Sequence, residues 1–561
     1  MSRRALSGRE LLVALAVAFG LAFVLRWPVS LYVESLPLDP NTPLHVLSAQ
    51  DLAGGGTPGR LESLGYPDGA AVRLLAWPIL LLAVPLEAVL PSIAAFNIAV
   101  LAWLAFQGVA VYALCRRERW PRAGSALAGV AVSFAPAVVL ALGNGQYENV
   151  AILPVVLAIA GARRGGVLGW VWCAVGFILA VFSTPYQGVV AGVMALASGA
   201  VAGGLRRAGA VLAAGALAGA LAYPYFVAER AGDSTTVTGP ASASHIEPAV
   251  VGYLLRADAH PATVPPDLPD PRRRVLAAAV APVRRPVGTW IPNTPMAASY
   301  VGVASALGVL GLLRGRREPL VAGAGVGGLA CLVLAFGAHL AWQPERASWV
   351  PLPWALLERL PGLDGMQVTH RFLFGVGLAL ALGLGRLVAS STFAAVVLAV
   401  AVAADGLLVA PAWWPVPAAA PRVAALAAML PDGPVAVWPG FPAIATDRHA
   451  VLALALDRPV ASFDGVSEPE SAGGTVLPSV PKVNRYGETP DEWLVRAREA
   501  GVVAFLALPA GKALRPRFFR LPPADLDGVE MWRLDNPEPA PPPRRPRGAA
   551  GGAGSAKPAG D

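Results

Sequence analysis

Cysteine is nearly absent: Cys115, Cys173 and Cys331 are the only three in 561 residues. All lie in or at the ends of apolar runs, which leaves no material for a disulfide framework or a cysteine-based metal cluster. Charge is scarce too. Asp, Glu, Lys and Arg make up 14% of the chain, against about 25% in soluble domains, and this excludes an ordinary water-soluble globule. No GxxxxGK(S/T) loop, HExxH, CxxC or GxSxG element occurs, so cytosolic ATP use, structural zinc and serine hydrolysis lack their usual signatures. The apolar runs hold almost no ionisable residues, with His339 and Asp405 near run ends, which counts against an ion-coupled pump. No internal repeat is evident.

What the chain has is hydrophobic length. Residues of the hydrophobic classes make up 55% of it, and about eleven stretches approach or reach the roughly 20 residues that cross a bilayer. They are 11–25, 96–115, 122–142, 150–162, 166–183, 186–204, 208–228, 297–313, 319–340, 371–388 and 391–411. The first follows Arg3, Arg4 and Arg9 without a small-residue cleavage pattern, so it reads as an uncleaved span.

The short loops carry arginine alternately. Arg116, Arg117, Arg119, Arg163, Arg164, Arg206, Arg207, Arg314, Arg316 and Arg317 fall in one set of loops. The other set is rich in Asp, His, Tyr, Gln and Pro. The positive-inside bias puts the N-terminus and the basic loops in the cytoplasm and the polar loops 27–95, 143–149, 184–185, 229–296 and 341–370 outside. The long loop 229–296 departs from the pattern with Arg272–Arg274 and Arg284–Arg285, and long loops obey the bias weakly. The same asymmetry accounts for the net charge of +8 through membrane topology, not nucleic-acid binding. Parity settles the proline-broken run 71–91: if it crossed, every later basic loop would lie opposite Arg3 and Arg4. It therefore reads as an interfacial or re-entrant helix.

From about 420 the composition changes. PDGPVAVWPG, RPVASFDG, AGVVAFLALP and DGVEMWRLD read as short strands, and TPDEWLVRAREAG reads as a helix capped by Thr489. The expected organisation is a mainly α polytopic membrane domain over 1–415 and a small α/β domain over 420–536. A disordered tail is expected over 537–561.

Four polar groups could carry chemistry. In the first external loop stand Asp39, His45 and Asp51, followed by Tyr66 and Asp68. A carboxylate at a membrane exit can serve as general base toward an acceptor hydroxyl. Asp39-Pro40-Asn41 is equally a turn signal, and Asp39 an N-cap for the helix holding His45. GNGQYENV gathers Gln146, Tyr147, Glu148 and Asn149 into a sugar-binding arrangement, or into a solvated tight turn allowed by Gly143 and Gly145. Tyr186, together with Glu229 and Arg230, could line a cavity mouth or belong to an interfacial aromatic belt. His370 and Arg371 sit where they could hold a lipid phosphate, or Arg371 could snorkel to the headgroups.

The layout resembles the GT-C superfamily of polytopic glycosyltransferases, nearest its loosely characterised bacterial members. LDPNTPLH matches the acidic position of the long first loop, and GYPDG with the proline-broken helix matches the remainder of that loop. GNGQYENVAILP resembles the polar turn and the span after it, and LPGLDGMQVTHRF the segment before a late span with an Arg-Phe pair. VAVWP and GVVAFLALP resemble strands of the C-terminal domain. The resemblance implies sugar transfer from a polyprenyl-phosphate donor to a cell-envelope glycan, lipid or protein on the outer face of a bacterial inner membrane. It casts Asp39 as base with His45 or Glu148 assisting, and His370 and Arg371 as holders of the donor phosphate. No cofactor is certain, and the resemblance leaves a divalent cation open although no paired-acid motif adjoins Asp39. A non-catalytic envelope assembly protein and a lipid or glycan flippase are the rival readings of the same scaffold.

Overall fold

The computed structural model describes residues 7–26, 29–31, 33–37, 42–56, 60–61, 70–71, 76–143, 145–231, 301–337, 339–343, 346–357, 359, 363, 366, 369–388, 390–409, 415–417, 432–438, 453–454, 458–461, 501–507, 518–520 and 530–537. The chain is mainly helical. In order the helices are α1 (Gly8–Leu25), α2 (Thr42–Ala53), α3 (Trp77–Leu86), α4 (Ser92–Arg117), α5 (Arg122–Ser133), α6 (Pro136–Gly143), α7 (Ile152–Arg164), α8 (Gly166–Ser183) and α9 (Pro185–Ala231). After the long loop come α10 (Val303–Ala306), α11 (Gly308–Arg314), α12 (Pro319–Ala335), α13 (Trp354–Leu357), α14 (Leu373–Val388) and α15 (Thr392–Val409).

Each of the eleven apolar segments carries helix. Among the described residues, α1, α4, α8 and the Pro185–Pro224 part of α9 are each long and apolar enough to cross a membrane. The pair α5–α6, bent by 41°, makes a fifth if taken as one span. The helices differ from the sequence reading in three places. α9 runs through the loop expected near 205 but breaks at Gly203–Gly204, where the backbone leaves helical angles. The segment 297–313 carries two short helices, α10 and α11. α12 stops at Ala335, so His339 lies in a strand and not at a span end.

Apolar surface faces outward along these helices. Leu12 is 68% exposed and Phe393 81%, and a contiguous apolar exterior of this kind belongs in lipid, not water. Inside the bundle, small residues bring backbones together, as is usual between membrane helices. A Cβ at Gly311 would overlap the Gly383 carbonyl, so α11 and α14 meet nearly backbone to backbone.

α3 occupies the proline-broken run. At ten residues it is about 15 Å long, half of a hydrocarbon core. It packs along the start of α4, and the Ala76 amide before it donates to the Ser183 carbonyl at 3.2 Å. A short helix anchored in this way fits the interfacial or re-entrant reading.

One end of the bundle is tied by ion pairs. Glu10 accepts from Tyr112 Oη (2.5 Å), Arg116 Nε (2.8 Å) and Arg122 Nη2 (3.1 Å), fastening the start of α1 to α4 and α5. Arg163 grips Glu118 with two bonds, at 2.9 and 2.6 Å. Arg386 pairs with Glu318, and a cleft lined by Glu118, Arg119, Glu318 and Arg386 shows that these turns adjoin. The basic loops therefore gather at one end.

Four small sheets stand among the described residues. β1 (Ser35–Pro37) pairs antiparallel with β6 (Pro415–Pro417), laying the chain after α1 against the chain after α15. β2 (Arg60–Leu61) pairs with β3 (Ala70–Ala71), and β4 (His339–Gln343) forms a hairpin with β5 (Arg346–Pro351). The C-terminal strands form one mixed sheet in the order β10 (Phe518–Arg520), β11 (Glu530–Pro537), β9 (Ala504–Ala507), β7 (Val435–Trp438) and β8 (Val460–Ala461). Four of these five fall on the segments read as strands. β11 runs one residue into the segment expected to be tail, and the helix expected from Thr489 lies outside the described residues.

Candidate functional site

The polar residues lie at the end of α1 away from Glu10, about 27 Å along an 18-residue helix. Arg26 caps α1 there, is only 1% exposed, and donates through Nη2 to Tyr147 Oη at 3.2 Å. Its guanidinium carbon lies 5.5 Å from the centre of the Tyr147 ring. Among the described residues its Nε and Nη1 have no hydrogen-bond partner. Burying a cation is costly unless an anion meets it.

Tyr147 belongs to a 3-10 turn, Tyr147–Asn149, between α6 and α7. Gly145 before it takes a positive φ of 64°, in keeping with the tight turn expected there. The Tyr147 hydroxyl is 2.6 Å from Thr42 Oγ1 at the start of α2. His45, one turn further along α2, shares that face. Its ring stacks on Phe96 of α4 (5.9 Å between centroids) and meets Tyr147 edge-on at 5.4 Å.

His45 Nε2 stands 3.8 Å from Glu148 Oε2, too far for a hydrogen bond. Burial lowers the His45 pKa to about 4, against a smaller opposing effect from a hydrogen bond to the Gly145 backbone. At neutral pH a neutral imidazole therefore faces the Glu148 carboxylate, and the pair is not an ion pair. So weak a base suits orienting a ligand or the carboxylate better than abstracting a proton.

Asn149 Nδ2 reaches both Glu148 Oε1 (3.2 Å) and Gln146 Oε1 (3.4 Å). Trp103 Nε1 and Gln107 Nε2 donate to the Val150 carbonyl at 2.6 and 2.9 Å, fixing the turn against α4. Gln187 Nε2 donates to the Asn149 carbonyl and joins this turn to the start of α9. Next to Gln187, the Tyr186 ring lies 5.0 Å from the Arg371 guanidinium carbon and 5.7 Å from the Phe372 ring. Arg371 thus stacks on an aromatic ring, and its buried Nε lacks a hydrogen-bond partner among the described residues.

Of the residues singled out in the sequence, the fold brings together His45, Gln146, Tyr147 and Glu148, and separately Tyr186 and Arg371, with Gln187 bridging the two groups. Asp51 is placed elsewhere. Six residues beyond His45 on α2, it is turned about 240° from it and sits near Glu87, whose carboxyl is raised by burial and by the Asp51 charge. Asp39 lies outside the described residues, between Pro37 of β1 and Thr42 of α2. The same holds for the His370 side chain, although its backbone is in the 3-10 turn Thr369–Phe372. Among the described residues no three His, Cys, Asp or Glu side chains converge as a metal site would require.

Arg26, Thr42 and Gln187 were not singled out in the sequence. Arg26 had a legible signal: it stands at the exit of the first span, on the side whose two shortest loops, 143–149 and 184–185, contain no arginine. No family model matches the chain, and no characterised protein matches its sequence.

Proposed function

We propose that this protein is a GT-C-like membrane glycosyltransferase. It moves a sugar from a polyprenyl-phosphate-linked donor to a cell-envelope glycan, lipid or protein on the outer face of the inner membrane. The observation that carries this reading is a pair of guanidinium groups, the buried Arg26 and the half-buried Arg371, each with at least one buried nitrogen that lacks a hydrogen-bond partner among the described residues, at the same bundle end as a carboxylate, Glu148. That end lies opposite the basic turns. Guanidinium groups recognise phosphate oxygens through paired donors, and glycosyl transfer from a lipid phosphate needs a phosphate holder beside a base.

In the reaction proposed, a carboxylate takes the proton of the acceptor hydroxyl as its oxygen forms the new bond to the sugar's anomeric carbon. The bond from that carbon to the phosphate oxygen breaks, and the polyprenyl phosphate leaves with the electron pair. Asp39 is the base by resemblance, with Glu148 as the second carboxylate and His45 orienting it. Arg371, with His370, receives the charge that grows on the leaving phosphate. Glu148 and His45 would be two donors toward a divalent cation, and no step is assigned to one.

Eleven crossings with the N-terminus inside place the polar end and the 420–536 α/β domain outside. The pairing of β1 with β6 supports this arrangement, because it sets the exits of the first and last apolar helices side by side. The test is transfer of label from a panel of polyprenyl-phosphate sugars in membranes holding wild type or Asp39→Asn. Label transferred by wild type alone supports the reading. Equal transfer by both removes Asp39 from the chemistry, and an inactive wild type across the panel favours the assembly or flippase scaffold.

A further inference from the structure

The basic end of the bundle holds a cavity of about 690 Å³ where α7 turns into α8 and where α9 breaks. Arg164, Arg206 and Arg207 line it with Trp170, Val211 and several glycines, and among the described residues no Asp or Glu lines it. Arg163, whose charge Glu118 meets with two bonds, is not part of the lining. The three lining arginines thus concentrate positive charge in a concave site.

Backbone adds to that charge. α8 begins at Gly166 behind Gly165, which offers no side-chain cap, and Gly165, Gly166, Val167 and Gly169 line the cavity, so the first turn of an 18-residue helix borders it. Gly203 and Gly204 interrupt α9 at the same place, and a second helix start follows at 205. Gly204 has a φ of +63°, a conformation that favours glycine. A Cβ at Gly203 would strike the Arg207 side chain, so the absence of one lets Arg207 lie across the break and donate to the Arg163 carbonyl.

The rim of this basic site is apolar. Val167 is 82% exposed and Leu205 91%, placing bare aliphatic side chains beside the arginines. A soluble anion has no use for such a rim, whereas acyl chains do. We propose that this cavity is a binding site for an anionic phospholipid, its phosphodiester held by Arg164, Arg206, Arg207 and the α8 amides while its chains lie against Val167 and Leu205. Basic pockets between helices at the cytoplasmic surface take anionic headgroups in this way. The site stands at the bundle end remote from Glu148 and is independent of the reaction there.

The test uses the full-length protein in mild detergent, titrated with phosphatidylglycerol, phosphatidylcholine or inorganic phosphate and read by native mass spectrometry. The proposal expects phosphatidylglycerol to bind in clear preference to phosphatidylcholine. Arg164→Gln with Arg206→Gln should weaken it on the order of thirtyfold, from about fivefold per arginine near an anionic headgroup. Both side chains are exposed, so the fold should survive, and Arg206→Gln alone gives the smaller step. Arg117→Gln, an exposed arginine of the same end that does not line the cavity, should keep wild-type binding. Equal binding of the two lipids, or an equal loss in Arg117→Gln, would overturn the proposal. Displacement of the lipid by millimolar inorganic phosphate would overturn the lipid assignment in favour of a free oxyanion.

Discussion

Removing the Tyr147 hydroxyl tests how the polar end is held. That oxygen stands 2.6 Å from Thr42 Oγ1 and accepts from Arg26 Nη2 at 3.2 Å, while the ring packs on Phe96 and His45. Tyr147→Phe keeps the ring packing and deletes both bonds. A neutral hydrogen bond contributes about 1 kcal/mol and one from a charged donor about 1.5–3 kcal/mol, so the loss expected is about 3 kcal/mol. Thr42→Val removes the neutral bond to Tyr147 and should cost about 1 kcal/mol for that bond. The double variant should then cost no more than Tyr147→Phe alone, a coupling of about 1 kcal/mol. Unfolding from mixed micelles, followed by tryptophan fluorescence, measures all three. Additive losses, to within about 0.4 kcal/mol, would refute the shared bond between α2 and the 147–149 turn.

Three further outcomes are expected. His45 has a folded pKa of about 4 below its ordinary 6.5, so the unfolded chain binds the proton more readily and stability falls as pH drops through that window. The loss between pH 7 and 5 should be about 2 kcal/mol, and His45→Gln should flatten the pH profile of the melting temperature; an unchanged profile contradicts the burial. Arg119 adopts a left-handed φ of 66° just past the end of α4, so Arg119→Gly should stabilise by about 1 kcal/mol, and a lower melting temperature would count against the strain. The three native cysteines are buried, so single engineered cysteines report sidedness cleanly. Val89→Cys should react with an impermeant maleimide from outside intact cells and Arg117→Cys only after permeabilisation, and the reverse pattern would invert the topology.

The helical scaffold was legible because apolar length and alternating arginines are properties of the chain itself. The strands at Val435–Trp438 and Ala504–Ala507 were legible from turn residues around short β-branched and aromatic runs. What needed the fold was facing. Asp51 and His45 look like neighbours in the first loop, yet six residues of helix turn them apart and give Asp51 to Glu87. The β4–β5 hairpin was hidden because HLAWQPERASWVP mixes apolar and charged residues without clean alternation. Arg26 looks in the sequence like an arginine at a span exit, and only the fold shows it buried beside Tyr147. Thr42 carries no motif, so its place beside Tyr147 depends on the packing of α2 against the 145–149 turn.

The central claim is that the carboxylate at the polar end serves sugar transfer. Its most direct test is the rate of label transfer from a polyprenyl-phosphate sugar in vesicles carrying wild type, Glu148→Gln or Arg117→Gln. Transfer by wild type and Arg117→Gln, with a clear loss in Glu148→Gln, the carboxylate proposed to assist Asp39, is the result the proposal requires. Equal transfer by wild type and Glu148→Gln would contradict it.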